Sequence, residues 1–224
     1  MGKSRVGLII PAYNEEKTIG NVVNGVSQYG QAIVVDDAST DKTASIASTY
    51  GAIVVKHSAN LGYESAIESG FRIAYEMGIK IVVTLDADGQ HNPKMVKKFI
   101  ASIRSGNDLA LGVRDKFPRI SETLFSLYSY NKFGIKDPMC GMKAYKIDLY
   151  KKVGYFDSCK LVGSELAFRL VSDGNKFEQI PFLIESRHGK SKYGGAFLAN
   201  VRIMRALLLT FFKYKWNYNN IKLL

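Results

Sequence analysis

Along the first 112 residues, short runs of β-branched and other apolar residues alternate with longer stretches whose apolar positions recur every three or four residues. The short runs predict strands at 6–10, 32–36, 52–56, 81–86 and 109–112, nearly all apolar, as in a parallel sheet covered on both faces. The longer stretches predict helices at 15–28, 41–50, 63–77 and 93–105. Ile67, Phe71, Ala74 and Tyr75 mark the buried stripe of the third, and Pro93 suits the first turn of the fourth. This alternation predicts an α/β fold with a doubly wound, mostly parallel sheet and right-handed crossovers. Beyond residue 112 it breaks down: 120–133 and 164–172 read as helices, 139–145 and 176–184 as strands. There is no internal repeat or low-complexity linker, and 224 residues suffice for one substantial core rather than two.

In open sheets of this kind, ligands bind outside the carboxyl ends of the strands, and the polar clusters of this sequence fall there. Pro11-Ala12-Tyr13-Asn14-Glu15 follows the first strand, Asp36-Asp37 ends the second, Asn60-Leu61-Gly62 follows the third, and Asp86-Ala87-Asp88-Gly89-Gln90 ends the fourth. Asp86 and Asp88, two apart on an extended backbone, would face one side and attract a hard cation, with Gln90 adding a neutral oxygen. By itself the segment is weak evidence and reads more readily as a turn, since Asp and Gly are turn formers. Asp36-Asp37 could bind a ribose or base, or merely help cap the next helix with Ser39-Thr40-Asp41. Neither GxGxxG nor GxxxxGK[ST] occurs, which argues against dinucleotide-dependent hydride transfer and ATP hydrolysis.

Charge adds a second theme. The net charge is +11; residues 1–112 hold 11 Lys/Arg and 11 Asp/Glu, whereas residues 113–224 hold 20 and 9. An acidic partner for the second half is expected: an anionic membrane surface, a phosphorylated substrate or nucleic acid. Residues 197–212 are strongly apolar, with Arg202 and Arg205 inside and Lys213, Tyr214, Lys215, Trp216 and Tyr218 following. The apolar core, 206–212, is too short to span a bilayer. It suits an amphipathic helix lying at an anionic lipid surface, or one packed on the sheet or a second subunit. The N-terminus lacks an export signal, so a cytoplasmic location, peripheral at the membrane face, is expected. Cys140 and Cys159 lie too far apart for a CxxC motif and read as reduced thiols.

Taken as a set, Pro11-Ala12-Tyr13-Asn14-Glu15-Glu16, Val34-Val35-Asp36-Asp37-Ala38-Ser39-Thr40-Asp41, Asn60-Leu61-Gly62 and Asp86-Ala87-Asp88-Gly89-Gln90-His91 resemble the family 2 inverting glycosyltransferases with a GT-A fold. The similarity is greatest to the dolichyl-phosphate mannose synthase-like, or polyprenyl-phosphate, branch. It continues through Gly112-Val113-Arg114, Asp137-Pro138-Met139-Cys140-Gly141 and Arg187-His188-Gly189-Lys190-Ser191-Lys192, covering about residues 5–193. The resemblance implies a GT-A domain over 1–195, with a donor half (1–112) and an acceptor half (113–195), followed by the tail at 196–224. It implies nucleotide-sugar contacts from Pro11, Tyr13, Glu15, Asp37 and the 86–90 segment including Ala87, and Mg²⁺ or Mn²⁺ held by Asp86, Asp88 and Gln90. Arg114 would reach phosphate oxygens, and Lys190 and Lys192 would close over the charged site.

The implied reaction moves a sugar from a UDP- or GDP-linked donor to an acceptor with inversion, the metal neutralising the departing diphosphate and Asp88, Arg114 and Lys190 shaping the charge. A polyprenyl phosphate acceptor arrives ionised, whereas a saccharide hydroxyl needs a base, for which Glu165 is the candidate. Two departures from the family pattern bear on the acceptor. The chain between Arg114 and Asp137 is short, and Gly141-Met142 replaces the frequent Gly-Phe. Two rival readings, a nucleotidyltransferase and a nucleic-acid-binding protein, lack their signatures: no Gly-rich basic loop follows the first strand, and no nucleic-acid motif is present.

Overall fold

The computed structural model describes residues 5–184 and 196–214. Seven strands form one sheet: β1 (Val6–Ala12), β2 (Gln31–Asp36), β3 (Ile53–Lys56), β4 (Ile81–Thr84), β5 (Leu109–Arg114), β6 (Lys143–Lys146) and β7 (Phe177–Phe182). Their order is β3-β2-β1-β4-β6-β5-β7; β6 runs antiparallel to both neighbours and every other pairing is parallel. The helices are α1 (Ile19–Val26), α2 (Thr43–Thr49), α3 (Tyr63–Glu76), α4 (Val96–Arg104), α5 (Ile120–Phe133), α6 (Ile147–Val153), α7 (Glu165–Ser172) and α8 (Ala196–Tyr214).

The period-2 geometry of the strands splits the core into two layers. Leu8, Ile10, Val34, Val83 and Ala144 pack with Val22 and Val23 of α1 and Phe99, Ile100 and Ile103 of α4. Ile9, Ile33, Val82, Leu109 and Tyr145 face the other way, onto Ile67 and Phe71 of α3, Phe125 of α5, Phe168 of α7 and Ile203 of α8. Helix α3 lies close to the sheet because Gly70 has no side chain: a Cβ there would sit 2.3 Å from Ile9 Cγ2.

Elements of both halves share this one sheet, and α8 is part of the body. Ala199, Ile203, Ala206, Thr210 and Tyr214 are buried along one face, and Ser121 of α5 hydrogen-bonds to Asn200 of α8. Thus α8 packs on the body through one stripe and leaves the opposite stripe uncovered. No helix among the described residues is long and apolar enough to cross a membrane.

Three local expectations are corrected. The strand expected at 139–145 begins at Lys143, because 139–142 form a turn beneath the 86–90 segment. The helix expected from residue 15 begins at Ile19, because 14–16 are tied across to the 39–43 turn. Helix α6 was not anticipated: it is seven residues long, buries Ile147 and Tyr150, and ends at Gly154 in the left-handed conformation.

Candidate active site

Strands β2, β1, β4 and β5 all run one way, so their carboxyl ends open onto a common rim. At the end of β1, Pro11 pairs with β2 at Val35, past the last β1–β4 pair at Ile9 and Thr84, where its missing N–H costs no ladder bond on the β4 side. Asn14 then takes a left-handed turn (φ 53°), its N–H donating to Ser39 Oγ at 2.9 Å and its side-chain oxygen accepting from the Thr40 N–H at 2.8 Å. The Glu15 N–H donates to Thr43 Oγ1 at 2.7 Å. Two loops distant in sequence thereby form one platform, from which Tyr13 stands 37% exposed.

Asp37 is buried and does structural duty. Its carboxylate accepts the N–H groups of Leu61 and Gly62, each at 2.8 Å, and lies 2.7 Å from His57 Nδ1. His57 Nε2 is 2.9 Å from Ser69 Oγ, so with the Nδ1 proton directed at Asp37 the hydroxyl donates to the ring. Asp37 thus fixes the Asn60-Leu61-Gly62 loop to the end of β2, three of its acceptor positions being taken from within the chain.

Strand β4 stops at Thr84, so Asp86 and Asp88 lie on a turn rather than on the extended backbone expected to align them. Gly89 sits at φ 78°, the Gln90 N–H donates to Asp88 Oδ1 at 3.1 Å, and Ala87 and Asp88 are buried. The turn reading and the ligand reading are therefore compatible, since both carboxylates belong to one short segment at the end of β4. The Asp86 N–H donates to His91 Nδ1 at 3.1 Å, leaving Nε2 to carry the ring proton 3.8 Å from Asp86 Oδ2. Gly141 forms the floor: a Cβ there would lie 2.5 Å from both Asp86 carboxylate oxygens. Thr84 Oγ1 anchors that floor by donating to the Gly141 carbonyl at 2.7 Å.

No cluster of three or more metal-binding His, Cys, Asp or Glu side chains occurs among the described residues. A hard divalent ion that keeps substrate phosphate oxygens and water in its shell needs only one or two protein carboxylates. Asp86 and Asp88, with the Gln90 amide, fit that requirement, and the bare Gly141 floor leaves the Asp86 carboxylate in place.

Arg114 ends β5 but does not reach outward. Its Nε and Nη2 grip Asp137 at 2.7 and 2.9 Å, its backbone N–H reaches the same carboxylate at 3.1 Å, and Nη2 lies 3.1 Å from Glu122, which also pairs with Arg119. Burial disfavours the cation, but the Asp137 contacts outweigh it and raise the guanidinium's pKa. In this structure the half-buried Arg114 side chain bridges β5, α5 and the 137–141 turn.

Glu165 is likewise engaged within the chain. Fully buried, it accepts from Lys213 of α8, from Ser158 Oγ at 2.9 Å and from the Cys159 N–H at 2.9 Å. Burial pushes its pKa up, yet Lys213 and these donors overcome that and hold it below the usual range. So engaged, the carboxylate ties the 158–159 segment to α7 and α8. Asp157 behaves oppositely: burial, with the charges of Glu64 and Glu165, pushes its pKa up to about 6 despite N–H donors from Leu161 and Gly163. Lys190 and Lys192 lie outside the described residues, as do Lys215, Trp216 and Tyr218.

Sequence reasoning assigned no role to Gly141, His91, Asp137 or Lys143. His91 lies inside a motif already singled out, and Lys143 interrupts the apolar run Met142-Lys143-Ala144-Tyr145, a signal that was available.

A carboxylate-bearing turn at the strand ends of a mostly parallel sheet, beside a platform cross-tied from two other strand ends, defines an α/β enzyme of the nucleotide-binding kind. Residues 8–164 match Glycosyl transferase family 2, and the chain belongs to that family. An uncharacterized protein of Methanocaldococcus jannaschii is 33% identical over 198 residues, 81% of this chain and 82% of its own. The UDP-N-acetylglucosamine–dolichyl-phosphate N-acetylglucosaminyltransferase of Methanococcus voltae is 38% identical over 139 residues, 53% of this chain and 55% of its own. The undecaprenyl-phosphate mannosyltransferase of Micrococcus luteus is 29% identical over 217 residues, 85% of this chain and 88% of its own. In fold, the chain is similar to glucosyl-3-phosphoglycerate synthase from Mycobacterium tuberculosis, solved with Mn²⁺ and UDP-glucose: TM-score 0.73, 21% identity, 92% of this chain and 78% of that one. The fold is GT-A.

Proposed function

We propose that this glycosyltransferase moves a sugar from a nucleoside diphosphate donor to a polyprenyl phosphate at the cytoplasmic face of a membrane, using Mg²⁺ or Mn²⁺. The observation that carries the acceptor class is the engagement of Glu165. With that carboxylate locked to Lys213, Ser158 and Cys159, the residue best placed in sequence to deprotonate a hydroxyl is unavailable, and an already ionised phosphate needs no such base. The two relatives named for dolichyl and undecaprenyl phosphate support the same choice.

In this reading the 11–15 and 39–43 platform receives the nucleoside. Asp86, Asp88 and Gln90 hold the cation, which when bound neutralises charge on the leaving diphosphate. Gly141 and Thr84 keep the Asp86 carboxylate at its post, and Arg114 ties the acceptor half to β5 through Asp137. A saccharide hydroxyl acceptor is the second reading. Asp157, held near pKa 6, favours it, because a base of that strength is useful at neutral pH.

The membrane assignment rests on α5 and α8. Ile120, Leu124, Leu127 and Tyr130 of α5 and Phe197, Leu198, Val201, Leu208, Phe211 and Phe212 of α8 are all exposed, and Arg202 and Arg205 stand on α8 among them. Aromatic and aliphatic side chains with interspersed cations suit the interface of an anionic bilayer.

The test is transfer from UDP- and GDP-sugars with Mn²⁺ to undecaprenyl phosphate, set against a saccharide acceptor. A lipid-linked sugar, lost in Asp88→Ala at unchanged melting temperature, is the expected result. Exclusive transfer to the saccharide, or full activity of Asp88→Ala, would overturn the acceptor or the site respectively.

A further inference from the structure

Lys143 is the anomaly in the core. It opens β6, an internal strand of the sheet, opposite Thr84 on one side and Leu111 on the other, and it is 3% exposed. Its ammonium donates to two backbone carbonyls, Pro138 at 2.9 Å and Gly163 at 2.6 Å. No carboxylate lies within ion-pair distance of it among the described residues. Burial lowers its pKa, and the charges of Asp137, Asp157 and Asp86 act in the opposite sense. Taking an ammonium out of water without a paired anion is costly, and an apolar side chain would fill the same space more cheaply. Packing alone does not explain the residue.

Its two acceptors do. Pro138 belongs to the turn whose Asp137 grips Arg114 and whose Gly141 abuts Asp86. Gly163 belongs to the 154–164 loop, which carries backbone strain: Lys160 and Val162 adopt φ 54° and 56°, unfavourable for any side chain and most of all for a β-branched one. Asp157 holds that loop from inside, and a Cβ on Gly163 would lie 3.1 Å from the Tyr63 ring of α3, just after the Asp37-clamped loop. Ser164 Oγ donates to the same Pro138 carbonyl at 3.0 Å. One buried ammonium thus sits where the turn that floors the Asp86 site meets the strained 154–164 loop.

We propose that Lys143 is a positioning residue for glycosyl transfer, fixing the 157–164 loop against the Asp86-bearing side of the site so that acceptor and donor meet in register. The proposal rests on the transferase reading above and adds a residue outside the expected metal and nucleotide contacts. Because Lys143 acts on the relation between the two sides, its loss should separate donor binding from transfer.

The experiment compares wild type, Lys143→Met, Lys143→Arg and Ser164→Ala. UDP and GDP affinity with Mn²⁺ is read by calorimetry, and transfer to undecaprenyl phosphate is read alongside donor hydrolysis. Lys143→Met should keep nucleotide affinity and hydrolysis within about threefold while transfer kcat falls about 30-fold, short of the loss expected of a full 1 Å misplacement. Lys143→Arg should recover part of the loss, and Ser164→Ala should show a smaller split of the same sense. Transfer by folded Lys143→Met within threefold of wild type would overturn the proposal, as would a proportional loss of binding and transfer. If Lys143→Met does not fold, an unchanged transfer kcat in Ser164→Ala overturns it. Refusal of undecaprenyl phosphate by the wild type would fail the acceptor assignment alone; the same split is then read on the saccharide product.

Discussion

The contact between Gly141 and Asp86 gives the site its sharpest test. In Gly141→Ala the new methyl would begin 2.5 Å from both Asp86 carboxylate oxygens and 2.7 Å from Cγ. Ordinary contact lies near 3.4 Å and real Cβ atoms essentially never approach within 3.0 Å, so the carboxylate must back away by about 0.5–0.9 Å. Asp86 is about a third exposed and can rotate toward solvent, so the fold loses little; the penalty falls on where the carboxylate stands. A displacement approaching 1 Å costs about 10²-fold when geometry sets the rate. The expected result is a 30- to 100-fold (order of magnitude) drop in kcat/KM, a higher Mn²⁺ concentration for half-maximal activity and a melting temperature within about 3 °C of wild type. Activity within threefold at unchanged Mn²⁺ dependence would refute the assignment of Asp86 as the ligand that Gly141 serves.

Three further outcomes follow from the same geometry. Asp137→Asn leaves the half-buried Arg114 guanidinium with Glu122 as its remaining carboxylate among the described residues and should cost about 2–4 kcal/mol, seen as a melting temperature roughly 5–15 °C lower. Asp157 has its pKa raised to about 6, so the folded chain holds a proton that the unfolded chain has released above about pH 4. Stability relative to Asp157→Asn should therefore be greatest below pH 4 and decline as pH rises through 6, by on the order of 1–3 kcal/mol in chemical denaturation; a flat difference across that window would dismiss the raised pKa. In flotation with phosphatidylglycerol vesicles, Ile120→Glu combined with Leu208→Glu should recover at least about tenfold less protein than wild type, and equal recovery would remove the lipid assignment.

How much of this was legible in sequence depended on whether the signal was local. Four strands of the first half announced themselves because apolar runs such as Ile9-Ile10 and Val82-Val83 are buried on both faces, whereas β3, at the sheet edge, has the apolar pattern without the burial; the polar residues after the strands fell on the rim as the topology requires. Asp86 and Asp88 were visible by spacing, although the reason offered, an extended strand, gave way to a turn closed by Gly89. What stayed hidden was set by contacts between distant positions. Gly141 matters because of a carboxylate 55 residues earlier, and Glu165 changes from base candidate to anchor because Lys213 reaches it from a helix 48 residues later. Nothing in Gly163-Ser164-Glu165-Leu166 encodes that arrival.

The same long-range pairing links the outer face of α8 to the interior. Lys213 lies on the last turn of a helix whose exposed stripe carries Leu208 and Phe212, while its ammonium holds Glu165, which in turn holds Ser158 and Cys159 of the strained loop. Lys143 holds the other end of that loop against the turn beneath Asp86. Two lysines thus tie the elements of the basic second half to one another, one gripping a carboxylate and one gripping carbonyls, and the turn held by Lys143 meets the first half where Gly141 lies against Asp86. Removing Lys213 leaves a buried carboxylate with neutral donors only, a change expected to loosen the loop from the α8 side, whereas removing Lys143 loosens it from the metal side. The excess of positive charge in this half thus has an internal use as well as an external one, which a count of Lys and Arg cannot distinguish.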